Sequence, residues 1–172
     1  MSKVLFFLRE FEGRDIDWFV SVGRRVTLPQ GTELIRANEG IDAIYILVEG
    51  LLDVAIGTAA DPIARLTVGE LVGELSFLDS RPPNATVVAA TDCVVMSLPK
   101  LLVESKLKKD FEFAARFYRA IGVLLANRLR QTVINLGFPQ GQAPAEMMQD
   151  TDPDLTLAED WFTFLMRKLQ AG

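Results

Sequence analysis

Histidine is absent from all 172 residues, and that absence excludes a large share of enzyme chemistry. Ser-His-Asp and Cys-His nucleophilic catalysis fall away, as do most zinc and non-haem iron sites. No paired carboxylates stand in an apolar setting of the kind acid–base catalysis needs, so no enzyme is expected. Cysteine is nearly as scarce. Cys93 is alone, which rules out an intramolecular disulfide. Its setting, Thr91-Asp92-Cys93-Val94-Val95-Met96, reads as a small residue buried in a strand of a protein kept reduced. Long apolar runs are also missing: none approaches the ~20 residues of a membrane span. Val4-Leu5-Phe6-Phe7-Leu8 is too short for one, is followed by charged residues, and has no signal-peptide plan. The expected compartment is the cytoplasm.

What is present suffices for one domain and an appendage. Apolar residues make up 49% of the chain and aromatics 9%. The net charge of −5 is unevenly placed. Residues 137–172 hold six acids and two bases, whereas residues 100–130 hold eight bases and three acids. A basic stretch can mark nucleic-acid binding, but these bases surround an expected helix without a reading motif. They read as its solvated face.

Asp15 to Val22 starts acidic, continues with apolar residues at helical spacing and stops at Gly23. It reads as a helix that packs Ile16, Phe19 and Trp18 on the main body. From Arg25 to Leu98 the period becomes two, punctuated by Pro29-Gln30-Gly31, Asn38-Glu39-Gly40, Glu49-Gly50 and the hairpin Gly57 to Pro62. Ile44 to Val48 suits a strand buried on both sides. Short strands, about eight in all and without alternating helices, argue for a mainly β fold: an antiparallel β-roll, or jelly-roll-like barrel, with flanking helices. A long helix, about Asp110 to Leu136, follows with two apolar stripes. One is Phe113, Phe117, Ile121 and Leu124; the other is Ala115, Tyr118, Gly122, Leu125, Leu129, Thr132 and Leu136. A single barrel cannot cover both, so one stripe is expected on the barrel and the other against a second copy in a parallel dimer. Gly137 to Pro144 reads as a linker. Thr156-Leu157-Ala158-Glu159 reads as a capping box opening a terminal amphipathic helix, to about Gln170, whose apolar face holds Trp161, Phe162, Phe164, Leu165 and Leu169. That helix either folds back on its own dimer or docks on a partner.

The most specific segment is Gly73-Glu74-Leu75-Ser76-Phe77-Leu78-Asp79-Ser80-Arg81-Pro82-Pro83-Asn84-Ala85-Thr86. It reads as a Gly turn, one short helical turn, a Pro-rich loop and a return strand. Such a turn presents backbone N–H groups and one carboxylate, Glu74, to a small anionic ligand. The segment resembles the phosphate-binding cassette of the cyclic-nucleotide-binding domains, the sensor modules of catabolite-activator-like regulators and of the regulatory subunits of the cyclic-AMP-dependent kinase. In that family the cassette runs Gly-Glu, an apolar or small stretch, then Arg-Ala-Ala-Thr. Counted back from Thr86, the arginine position holds Pro83. Gly31, Gly50, Gly69 and Gly73 also fall where the family places glycines, and Asn38, which tolerates positive φ, replaces another. The resemblance runs from about residue 15 to residue 136.

The resemblance implies that Glu74 accepts from a ribose 2′-hydroxyl and that N–H groups around Gly73 to Leu75 face the ligand. Pro83 cannot supply the family's arginine clamp. Arg81 is either a substitute swinging in from upstream or a surface residue at the loop tip. Asn84 and Ala85 take the positions after the arginine, ahead of Thr86. Thr132 matches a threonine that contacts the base in catabolite-activator-like dimers, or is a packed polar spacer. The implied plan is an N-terminal helical segment (1–24), a β-roll (25–109), a dimerisation helix (110–136), and a linker with terminal helix (137–172). The family's winged helix-turn-helix has no counterpart in the acidic 137–172 stretch, so DNA binding by this chain alone is not expected. Two functions remain open. One is a homodimeric regulatory sensor with weak or altered cyclic-nucleotide binding, needing no cofactor and acting on an unidentified protein partner. The other is a ligand-free scaffold with a decayed pocket.

Overall fold

The computed structural model describes residues 4–57, 62–137 and 155–170. The expected hairpin tip at 58–61 and the linker at 138–144 lie outside the described residues. Eight strands form: β1 Arg24–Leu28, β2 Glu33–Ile35, β3 Ala43–Glu49, β4 Leu52–Ala55, β5 Ala64–Leu66, β6 Leu71–Val72, β7 Thr86–Ala89 and β8 Cys93–Pro99. They pair antiparallel in two four-stranded sheets, ordered β1-β8-β3-β6 and β2-β7-β4-β5, so the roll is not one continuous ring. β5 and β6, at sheet edges, are short, with three and two residues. Between β7 and β8 the chain turns at residues 90–92 and changes sheets. The corner is tied by the Leu51 N–H to the Thr91 hydroxyl (3.0 Å) and the Gln30 N–H to the Asp92 carboxylate (2.9 Å).

β3 and β8 are buried on both faces because their period-two alternation serves two cores. Ile44, Ile46 and Val48 with Val94, Met96 and Leu98 pack toward the helices, while Leu47, Cys93 and Val95 pack between the sheets. Cys93 is therefore a buried strand residue, as its context suggested.

The helical layer comprises α1 Val4–Leu8, α2 Gly13–Val22, α4 Lys100–Lys109, α5 Phe111–Gly137 and α6 Leu155–Gln170, with the short α3 Glu74–Asp79 set inside the roll. α1 turns the Val4–Leu8 run into core: Leu5, Phe7 and Leu8 are buried. Phe7, Phe11 and Phe19 stack edge to face or tilted with Phe113 and Phe117 of α5, with adjacent centroids such as Phe11–Phe19 at 4.9 Å. Asp15, 1% exposed, joins α2 to α5. Its carboxylate accepts from the Glu12 N–H (3.0 Å) and from Arg116 Nε (2.7 Å) and Nη2 (3.2 Å). Arg119 donates to Glu10 at 2.6 Å. Two of the eight bases of the 100–130 stretch, Arg116 and Arg119, are thus engaged with acids of the N-terminal segment.

The two stripes of α5 differ in their surroundings. Phe113, Phe117, Ile121 and Leu124 are buried, whereas Tyr118, Leu129 and Leu136 are 52%, 64% and 83% exposed. The buried stripe meets α1, α2 and the roll within one subunit. α6 folds back on α1 and α2, burying Ala158 and Leu165 and bringing the Trp161 ring against Gly13. It begins at Leu155, so Thr156 lies inside the first turn rather than before it.

Between α4 and α5, Asp110 caps the long helix, accepting from the Phe113 N–H (2.9 Å) and Lys106 Nζ (2.8 Å). These bonds hold its carboxyl at about 2, below the usual 3.8. The ionised form therefore stabilises the fold above pH 4, and that contribution disappears as pH falls through about 2. Asp110→Asn is expected to unfold at lower urea than the wild type at pH 6, with the gap between midpoints closing below pH 4. Asp15→Ala, which strands the Arg116 guanidinium in a largely buried site, is expected to cost about 3 kcal/mol in the same assay.

Candidate ligand cavity

A cavity of about 410 Å³ opens between the β2-β7-β4-β5 sheet, the segment 71–85 and α5. Ile35, Val54, Leu66 and Val87 form its apolar wall; Leu71 to Ser76, Asp79 and Arg81 to Ala85 form the loop side; Arg128 enters from α5. The sharp turn into α3 needs Gly73, whose φ is +91° and whose Cβ would sit 2.8 Å from Ile41 Cδ1 and 3.1 Å from the Ala43 carbonyl. The Pro-rich loop is braced from outside. Asn38, at φ 64°, donates its N–H to the Pro83 carbonyl at 2.8 Å.

The charged centre is Glu74, 3% exposed. Arg128 donates to its Oε1, to the Leu71 carbonyl, and at 3.4 Å to Glu70 Oε2. Burial pushes the Glu74 carboxyl above the usual carboxylate range, against the attraction of Arg128, which pulls it down.

Gly73, Glu74, Leu75, Arg81, Asn84 and Ala85 all line the cavity, as the cassette reading expected. Leu75 stands at its mouth, 60% exposed. The Arg81 side chain is 84% exposed and lies 3.8 Å from Asp79, whose carboxylate also accepts the Arg81 N–H at 3.0 Å. This is the surface arrangement rather than the swung-in one. Thr86 is not in the lining: its hydroxyl accepts from the Ala37 N–H at 3.1 Å and ties the start of β7 to the loop after β2. Thr132 is exposed, and its hydroxyl donates back to the Arg128 carbonyl at 2.9 Å, away from the cavity.

Arg128 is the residue that sequence reasoning missed. The cavity wall thus holds a guanidinium besides Arg81, but one engaged with the Glu74 carboxylate. It comes from α5 and not from the cassette loop. Its signal was position: Arg128 lies one turn before Thr132, on the α5 segment already compared with a ligand-contacting stretch. Among the described residues, no cluster could hold a metal ion and no helix is long and apolar enough to cross a membrane.

Arg128→Met leaves Glu74 buried without its partner, and its carboxyl rises further. A raised carboxyl favours folding at low pH, and that contribution is lost as pH climbs through the folded-state value. The variant is therefore expected to approach wild-type stability near pH 4 and to fall behind at pH 7.5, by about 3 kcal/mol in urea unfolding. A deficit independent of pH would mean that Arg128 acts only through packing.

Comparison with known proteins places this cavity in context. The family model described as the cyclic nucleotide-binding domain matches residues 25–110. The cAMP-dependent protein kinase regulatory subunit of Aspergillus niger is 33% identical over 73 residues, 42% of this chain and 18% of that protein. The chain therefore spans under a fifth of that relative. Among solved structures, the Thermus thermophilus catabolite activator protein superposes with a TM-score of 0.63 at 23% identity, covering 77% of this chain and 62% of the other. A cyclic nucleotide-binding domain from Methylobacillus flagellatus gives 0.67 at 18% identity, covering 75% and 78%. These likenesses support the fold, and the family match supplies the identity. This chain belongs to the cyclic nucleotide-binding domain family.

Proposed function

We propose that the chain is a regulatory sensor module in which a small ligand in the cavity alters the set of α5, and that it acts through protein–protein contacts in the cytoplasm. The observation that carries this reading is the Arg128–Glu74 pair, which joins the cassette carboxylate to the helix bearing an open apolar stripe. The relatives named above are a regulatory kinase subunit and a catabolite activator, and a regulatory role is carried over from them as part of this proposal.

Nucleotide binding is weak or altered in this account. Pro83 replaces the cassette arginine, and Pro82 and Pro83 together offer no N–H donors. Losing such a charge-assisted clamp costs about 2–5 kcal/mol, roughly 30-fold to several thousand-fold in affinity. The open stripe of Tyr118, Gly122, Leu129 and Leu136, with the half-buried Leu125 at its edge, is assigned to a parallel homodimer, where Gly122, with no atom within 4 Å of a built Cβ, allows close approach. One observation favours the scaffold reading instead: both arginines at the cavity already hold carboxylates, Arg128 with Glu74 and Arg81 with Asp79.

Calorimetric titration with cyclic AMP and cyclic GMP separates the two. Weak binding in the wild type that strengthens in Pro83→Arg and disappears in Glu74→Ala supports the sensor. Silence in both wild type and Pro83→Arg supports the scaffold. For the dimer, sedimentation should give a two-fold mass that drops to a monomer in Leu129→Asp. A wild-type monomer at high micromolar concentration removes the α5 interface.

A further inference from the structure

We propose that the cavity is built for an uncharged ligand, a ring compound carrying hydroxyl groups and no phosphate. This rests on the reading of the cavity as a ligand site and names the chemistry of its occupant. The charged side chains of the wall are two acids and two bases already paired, Glu74 with Arg128 and Asp79 with Arg81. Among the described lining residues, neither cation is without a carboxylate.

For Arg128 to clamp an anion it would have to share or leave Glu74, a carboxylate with 3% exposure, together with the Leu71 carbonyl and Glu70 behind it. Stranding a buried charge in this way is strongly unfavourable, and an anion set beside the intact pair would meet the Glu74 carboxylate as a like charge. The loop adds no further cation, and the N–H groups at the start of α3 are uncharged donors open to a hydroxyl oxygen as well as to an anion. Pro82 and Pro83 carry no N–H, and the N–H of Arg81 is held by Asp79. A neutral guest meets a more favourable surface. Glu74 and the hydroxyl of Ser76 can accept from ligand hydroxyl or amino groups. Ile35, Val54, Leu66 and Val87 present apolar area to a ring, and about 410 Å³ is within the range of small-molecule sites.

The test uses pairs that share base and sugar and differ in the cyclic phosphate: adenosine with cyclic AMP, and guanosine with cyclic GMP, titrated calorimetrically into the full chain. At least one nucleoside is expected to bind the wild type about tenfold or more tighter than its cyclic nucleotide, a margin corresponding to one like-charge contact. Adding a cation by Pro83→Arg, or by Asn84→Arg should the first fold poorly, is expected to reverse that order. Equal or tighter binding of the cyclic nucleotides by the wild type overturns the inference, as does the absence of nucleoside binding. In the latter case, cyclic-nucleotide binding gained by either arginine variant leaves the sensor reading standing and removes only this one. Silence in every protein removes both.

Discussion

The Glu74–Arg128 pair is the constraint on which the rest of the arrangement depends. Gly73 bends the chain so that Glu74 turns inward to near-complete burial, where a lone carboxylate would be costly. Arg128 answers it from α5, and the Leu71 carbonyl and Glu70 complete the guanidinium's bonding. The same contact closes one wall of the cavity and seats the distal part of the long helix. The chemistry of the site and the position of the helix are therefore one problem.

α5 is held unequally along its length. Its first half is embedded by Phe113, Phe117, Ile121 and Leu124 and locked to α2 through Asp15 and Arg116. Beyond Leu124 no described side chain is fully buried, and Leu129, Val133 and Leu136 are largely exposed. Arg128 is the charged tie of this second half to the roll. A ligand that competes for Glu74 or reinforces it would act where the helix is least anchored, which is how a modest change in a small cavity could reach the open stripe.

Much of this was legible in the chain. The period-two pattern and the turn residues located the strands, because alternation directly reports which face of a sheet is buried. The two stripes of α5 were visible for the equivalent reason at helical spacing, and the cassette placed six lining residues. Three features were not legible. The Val4–Leu8 run carries no amphipathic period, and its role as a core helix depends on phenylalanines more than a hundred residues away. Thr132 and Thr86 have hydroxyls that satisfy nearby backbone groups, a choice set by local geometry rather than residue type. Arg128 was hidden because a base in a basic helix looks solvated until the fold brings a buried carboxylate beneath it.

The most direct test of the coupling between cavity and helix is amide hydrogen exchange on the wild type and on Glu74→Gln, which keeps the shape of the side chain and removes its charge. Loss of the tie should speed exchange in residues 73–79 and 125–137 while leaving 111–121 protected as before. Unchanged exchange in 125–137, or a uniform rise across the whole helix, would contradict the account.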